Sequence, residues 1–160
     1  MESAVTVRRL VRGDADSILS IQSSCPELAP WSKRDYEEMA EGDTVGWVAS
    51  KTALAGTSAT SPEATIMGFI TARVAADEIE ILNLGVDPNE RRHGVAKALL
   101  KAAFAWGAEN QARQAFLEVR ASNSGAIQFY ESFGFHAVGK RAKYYTSPVE
   151  DALQLAVQIQ

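Results

Sequence analysis

The chain has 160 residues, 46% hydrophobic and 22% charged, with a net charge of −4 and a pI of about 5.2. That length suits one domain with its own core, and the acidic balance argues against general binding to nucleic acid or anionic membranes. One cysteine, Cys25, excludes an intramolecular disulfide and suits a reducing compartment. The stretch Met1 to Leu10 carries Glu2, Arg8 and Arg9 and lacks the apolar heart of a signal peptide. No run reaches the roughly 20 apolar residues of a membrane span. A cytoplasmic protein is expected.

Val5-Thr6-Val7 alternates as a short first strand. Asp14 is placed to cap a helix to about Ser23, with Ile18, Leu19 and Ile21 as its apolar positions. Ser32-Lys33-Arg34-Asp35 has the pattern of a capping box for a second helix through about Met39. Val45 to Ser50 reads as a strand. Lys51 to Thr65, rich in Ala, Thr, Ser and Gly, reads as a long flexible connection without a chemical role.

Ile66 to Val74 and Glu78 to Val86 read as two strands joined by the tight turn Ala75-Ala76-Asp77. Gly85 inside the second marks a bulge or a close approach to the backbone. Val95, Leu99, Ala103 and Trp106 recur at helical spacing. Phe116 to Val119 is a strand with Phe116 and Glu118 on one face and Leu117 and Val119 on the other. Ser122-Asn123 can cap a helix from about Ser124 to Phe133, closed by Gly134. Phe135 to Gly139 and Leu153 to Ile159 are the last strands, the latter alternating Leu153, Leu155, Val157 and Ile159 against Gln154 and Gln158. The order is strand, two helices, three antiparallel strands, helix, strand, helix, two strands. That predicts a single α/β domain over residues 1–160, without repeats.

The most informative stretch is Arg91-Arg92-His93-Gly94-Val95-Ala96, between an apolar strand and an amphipathic helix. A glycine turn at a helix N-terminus presents backbone N–H groups and a positive dipole end, and the arginines add full charge, so the turn suits a pyrophosphate. No G-x-x-x-x-G-K-[ST] occurs, which excludes a nucleotide P-loop. His93 has no second histidine or cysteine at ligand spacing, so no metal site is expected and it reads as a turn residue. Cys25 reads as a structural thiol. A carboxylate such as Glu118 on an apolar strand is costly unless paired, and an ion pair with Arg120 or Arg113 is one reading of it. Tyr130 can equally be a core aromatic, and Tyr144-Tyr145 can be strand aromatics.

Taken together, Pro30-Trp31-Ser32, Leu84-Gly85-Val86-Asp87-Pro88, the Arg91–Ala96 turn and Leu117-Glu118-Val119-Arg120-Ala121-Ser122-Asn123 resemble the GCN5-related N-acetyltransferase (GNAT) superfamily. Ala126-Ile127, Tyr130-Glu131-Ser132, Phe133-Gly134-Phe135, Tyr144-Tyr145 and Glu150-Asp151-Ala152 extend the resemblance over nearly the whole chain. Within the superfamily it resembles the RimI-type group, which acetylates the N-terminal amine of a ribosomal protein. Ala96 stands where many members have a second glycine, Gly85 stands where alanine is common, and the Lys51–Thr65 connection is longer than usual.

The resemblance implies a GNAT fold: one mixed, mostly antiparallel sheet of about seven strands flanked by about four helices. It implies acetyl-CoA as cosubstrate, no metal, and direct transfer without a covalent enzyme intermediate. The amides of Arg92, His93, Gly94, Val95, Ala96 and Lys97 would hold the pyrophosphate. Leu84, Gly85 and Val86 would pair with the pantetheine arm, and Asn123 would reach the cofactor. Glu118 would be general base and Tyr130 general acid, with Trp31, Tyr144 and Tyr145 lining the peptide's path. The implied partner is the N-terminus of a protein, with no direct nucleic acid or membrane contact, and the chain is expected to be a monomer or weak dimer. An acetyltransferase for lysine side chains or small amines is the nearest alternative. A non-catalytic acetyl-CoA-binding module is the alternative from another class.

Overall fold

The computed structural model describes residues 5–39, 42–51, 65–146 and 148–159. In chain order they form β1 (Val5–Arg9), α1 (Ala15–Ser23), α2 (Lys33–Glu38), β2 (Thr44–Lys51), β3 (Thr65–Ala75), β4 (Glu78–Val86) and α3 (Val95–Glu109). β5 (Gln114–Arg120), α4 (Ser124–Ser132), β6 (His136–Thr146) and β7 (Val149–Gln158) follow. This is the order the sequence predicts, and the strands make one seven-stranded sheet, β1-β2-β3-β4-β5-β7-β6. It is mixed: β1–β2, β5–β7 and β6–β7 run antiparallel and β4–β5 parallel. Among the described residues no helix is long and apolar enough to cross a membrane. The connection expected over 51–65 lies, for residues 52–64, outside the described residues; Lys51 and Thr65 themselves belong to strands.

By contact density the chain divides into two compact units, residues 1–72 with 83–103, and residues 73–82 with 104–160. In the first, Leu10, Ile18, Ile21, Cys25, Tyr36, Met39, Val48 and Phe69 form a buried cluster. The edge of the Tyr36 ring meets Phe69 at 5.7 Å. The capping box is present at α2, where the Asp35 N–H donates to Ser32 Oγ and the Ser32 N–H to the Asp35 carboxylate. The Asp14 side chain does not cap α1. It accepts from Val11 N–H at 2.8 Å, ahead of a 3-10 turn, and takes both guanidinium nitrogens of Arg8 at 2.8 and 2.9 Å. A nearby arginine outcompetes the α1 amides for that carboxylate because a bidentate charge-assisted pair is stronger than a cap.

In the second unit, β5 buries Ala115, Leu117 and Val119 and leaves Phe116, Glu118 and Arg120 half-buried, the alternation its sequence predicts. Phe135 is buried beside Tyr130 and Phe104, with ring centroids 5.4 and 6.0 Å away. Gly134 closes α4 with φ +96°, a left-handed conformation that favours glycine. Two features depart from expectation. On β7 the buried residues are Ala152, Leu155 and Ala156 rather than one alternating set, because a strand paired on both edges can bury both faces. β6 runs on to Thr146 and so contains Tyr144 and Tyr145.

Candidate active site

In the first unit, β4 leads through a 3-10 turn at Pro88–Glu90 into the basic glycine turn and α3. Asp87 accepts from the Asn89 N–H at 2.9 Å and fixes the start of that turn. Arg92 and Gly94 both sit in the left-handed region, at φ 68° and 78°. The Ala98 N–H donates to the Gly94 carbonyl at 3.0 Å. The N–H groups of Gly94, Val95, Ala96 and Lys97 have no acceptor among the described residues, as expected for the first turn of a helix. Val95 is buried and anchors the helix, while the side chains of Arg92, His93 and Lys97 are exposed.

His93 lies 3.6 Å from Glu90, and among the described residues no group of three or more His, Cys, Asp or Glu could hold a metal ion. The register of β4 with β5 ends at Ile81–Leu117, so Leu84, Gly85 and Val86 lie beyond that ladder. Gly85 is a close approach of other groups to the backbone. A Cβ there would come within 2.7 Å of Leu28 and 2.8 Å of Phe69.

The connector from α1 to α2 packs on the end of β4. The Cys25 thiol points to the Val86 carbonyl at 3.5 Å, and Arg91 reaches both Cys25 and Glu27 at 3.5 Å. Burial pushes the thiol's pKa up against the pull of Arg91, so it stays protonated and structural. Trp31 is half-buried, its ring 5.5 Å from that of Tyr36.

In the second unit, Glu118 sits on β5 with its side chain 15% exposed. Its partner is Arg141, with Nη1 3.6 Å from Oε1, and not Arg120 or Arg113; Oε2 is buried with no partner among the described residues. Arg120 instead pairs with Glu150 at 3.4 Å and lies over the Tyr145 ring at 4.2 Å. Arg141 reaches Glu118 from β6, across the intervening strand β7.

Tyr130 is buried on α4, and its hydroxyl makes no hydrogen bond among the described residues. Burial, with Tyr145 nearby, pushes the phenol's pKa well above the ordinary range. Tyr145 feels the same effect from burial first, and Glu118 adds to it.

The Tyr144 and Tyr145 rings meet edge-on at 5.0 Å, although consecutive strand residues ordinarily point to opposite faces. A bulge explains it. Between Arg141 and Tyr145 β6 advances four residues while β7 advances two, from Ala152 to Glu150. Lys143 is left-handed at φ 53°, its N–H donating to Asp151 at 2.9 Å. Asn123 caps α4, its Oδ1 accepting from Ala126 N–H at 3.2 Å, which leaves only the amide NH₂ for a ligand.

Sequence reasoning missed Arg141 as the partner of Glu118 and the bulge at Lys143. A lysine in the left-handed region carries no sequence mark.

The chain belongs to the Acetyltransferase (GNAT) family, whose pattern matches residues 15–135. It is thus an acetyl-CoA-dependent N-acetyltransferase. It is 39% identical over 93 residues to the ribosomal protein bS18-alanine N-acetyltransferase of Escherichia coli K12, an alignment covering 57% of this chain and 63% of that one. Over 160 residues it is 28% identical to a Bacillus subtilis protein provisionally named for the same activity, covering 99% of each. The crystal structure of the Escherichia coli ribosomal-protein-S18-alanine N-acetyltransferase superposes with a TM-score of 0.79 and 28% identity, over 98% of this chain and 95% of that one.

The residues present fit acetyl-CoA. The free amides at the start of α3 beside exposed Arg92 and Lys97 suit its pyrophosphate, and the extended backbone of Leu84–Val86 beyond the β5 register suits its amide-bearing arm.

Proposed function

We propose that this protein acetylates the N-terminal α-amine of a protein, with a ribosomal protein as the physiological substrate, and that residues 1–160 work as one acetyltransferase domain. The observation that carries the reading is the half-buried carboxylate of Glu118, one oxygen of which has no partner among the described residues. An ammonium cannot attack a thioester, so the amine must first lose a proton. An α-amine with a pKa near 7.8 is about 30% neutral at pH 7.4, a lysine side chain only about 0.1%. One carboxylate is base enough for the former.

In this reading the amides of Arg92 to Lys97 hold the pyrophosphate, Leu84–Val86 align the extended arm, and the Asn123 amide adds a hydrogen bond. Bound acetyl-CoA supplies the acetyl group as a thioester. Glu118 takes the ammonium proton, directly or through a water. Tyr130, kept protonated by burial, hydrogen-bonds and protonates the departing sulfur as the carbon–sulfur bond breaks. Trp31, Tyr144 and Tyr145 guide the peptide. The likeness to the bS18-alanine enzymes supports a substrate beginning with alanine.

The test is competition for acetyl-CoA between a lysine-free peptide with a free N-terminal alanine and the same peptide blocked at its terminus and given an internal lysine. Mass spectrometry should place the acetyl group on the α-amine. Preference for the blocked peptide would reassign the chain to lysine or small-amine acetylation. No turnover of either would favour a binding module.

A further inference from the structure

We propose that Gln22 and Asn83 are positioning residues for the peptide substrate, holding the connector that presents Trp31. The inference rests on the reading of Trp31 as a substrate contact. The connector between α1 and α2 has no regular structure; Leu28 N–H donates to the Cys25 carbonyl and Trp31 N–H to the Ala29 carbonyl, both at 3.0 Å, and its further partners come from neighbouring side chains.

Gln22, on α1, supplies two of them. Its Oε1 accepts from the Trp31 N–H at 3.3 Å and its Nε2 donates to the Trp31 carbonyl at 2.9 Å. A primary amide thereby pairs with both backbone groups of one residue, as a neighbouring strand would. The same Oε1 accepts from the hydroxyl of Tyr36, on α2. Asn83, buried on β4, donates through Nδ2 to the Tyr36 hydroxyl and to the Ala29 carbonyl, both at 3.4 Å.

Three elements thus meet on the connector through one polar chain, Asn83–Tyr36–Gln22–Trp31. Neither Gln22 nor Asn83 belongs to the residues proposed to bind acetyl-CoA or move protons. Asn83 is also an odd choice for its position, since β4 alternates and its neighbours on that face, Ile79, Ile81 and Gly85, are apolar or glycine. A buried asparagine among them is costly unless its amide has work to do. Holding the Ala29 carbonyl and the Tyr36 hydroxyl is that work. Loss of the clamp would let the Trp31 backbone drift, and a drifting contact weakens peptide binding without touching the proton transfers.

The experiment is steady-state kinetics with acetyl-CoA and a short peptide beginning with alanine, on Gln22→Leu, Asn83→Leu, Trp31→Ala and the double variant Gln22→Leu/Trp31→Ala. Gln22→Leu and Asn83→Leu should each raise the peptide KM about tenfold while leaving kcat and the acetyl-CoA KM within twofold. In the Trp31→Ala background Gln22→Leu should add little, because both act on one contact. Gln22→Glu keeps the acceptor for Trp31 N–H and Tyr36 and should recover part of the loss. It also serves if Gln22→Leu does not fold.

An equal KM effect of Gln22→Leu with and without Trp31 would overturn the positioning role alone. So would an unchanged KM in Gln22→Leu when Trp31→Ala raises it. An unchanged KM in Trp31→Ala would instead remove Trp31 from the substrate path and the proposal with it.

Discussion

Arg141 stands beside Glu118 at 3.6 Å, too far for a tight ion pair, while the far oxygen of that carboxylate is buried without a partner among the described residues. The guanidinium also lies over the Tyr144 ring at 5.1 Å and is about half exposed, so it has a second resting place. A carboxylate so loosely held keeps lone pairs free for an incoming ammonium. That is the arrangement a base needs.

Glu118→Gln preserves shape and removes the base. Turnover near neutral pH should fall about 10²–10⁴-fold with acetyl-CoA affinity unchanged. The deficit should shrink as pH rises past the amine's own pKa, because the substrate then deprotonates unaided. A pH–rate profile with a constant deficit would take Glu118 out of the base role.

Tyr130→Phe should slow turnover by about 10²-fold, the low end for general-acid catalysis, because a phenol with a raised pKa is poorly matched to a thiolate leaving group. Stability should change little, since the hydroxyl makes no hydrogen bond among the described residues whose loss would cost energy. Because burial keeps the phenol protonated, wild-type rates should show no alkaline decline from this group up to about pH 10, the ordinary tyrosine value. Thermal melts and a rate profile on both proteins check each part.

At Gly94 no protein atom lies within 4 Å of an added Cβ, so a substitution there meets no steric obstacle from the protein itself. The obstacle is φ +78°. Gly94→Ala should therefore weaken acetyl-CoA binding almost as much as Gly94→Val, each paying about 1–2 kcal/mol to keep the left-handed turn or else moving the amides. Calorimetric titration with acetyl-CoA distinguishes this from a steric effect, in which only valine would be harmful.

Asp14→Asn tests the acid limit of stability. Burial pushes the Asp14 carboxyl up, but the Arg8 fork and the Val11 N–H outweigh it, and the net shift is downward. A carboxyl lowered on folding stabilises above its unfolded pKa, about 3.9, and loses that contribution as pH falls through the folded value. Asp14→Asn should cost about 1–3 kcal/mol near neutral pH, and its difference from wild type should narrow below about pH 4. Urea melts across that range check the sign.

Much of this was legible in the residues because the signals were local. The order of elements follows from apolar periodicity, the α2 cap from Ser32 and Asp35, and the turn ahead of α3 from Gly94. The close approach at Gly85 was readable as one of two options, and Leu28 and Phe69 are the groups that make it. Non-local features were not readable. Periodicity cannot say that Glu118 meets a residue from β6, because the pairing of β6 beside β7 is a tertiary choice. The end of β6 was set too early, at Gly139, for a related reason: the bulge at Lys143 breaks the alternation that marks a strand, and the reading of Tyr144 and Tyr145 as strand aromatics stayed only one of two. Asp14 failed as a cap because Arg8, six residues away, claims it.

β6 is the last strand in the sheet order, so among the described residues one of its edges has no neighbouring strand. Such an edge is a template on which another chain can build. Here the ladder is broken twice, between Ala137 and Gly139 and again between Arg141 and Tyr145; the run between holds Lys140 and Arg141, and Lys143 lies in the second break. An interrupted, cationic edge offers a second chain neither an even row of donors and acceptors nor a flat surface. The irregularity that brings two tyrosine rings together therefore also protects this protein against edge-to-edge aggregation.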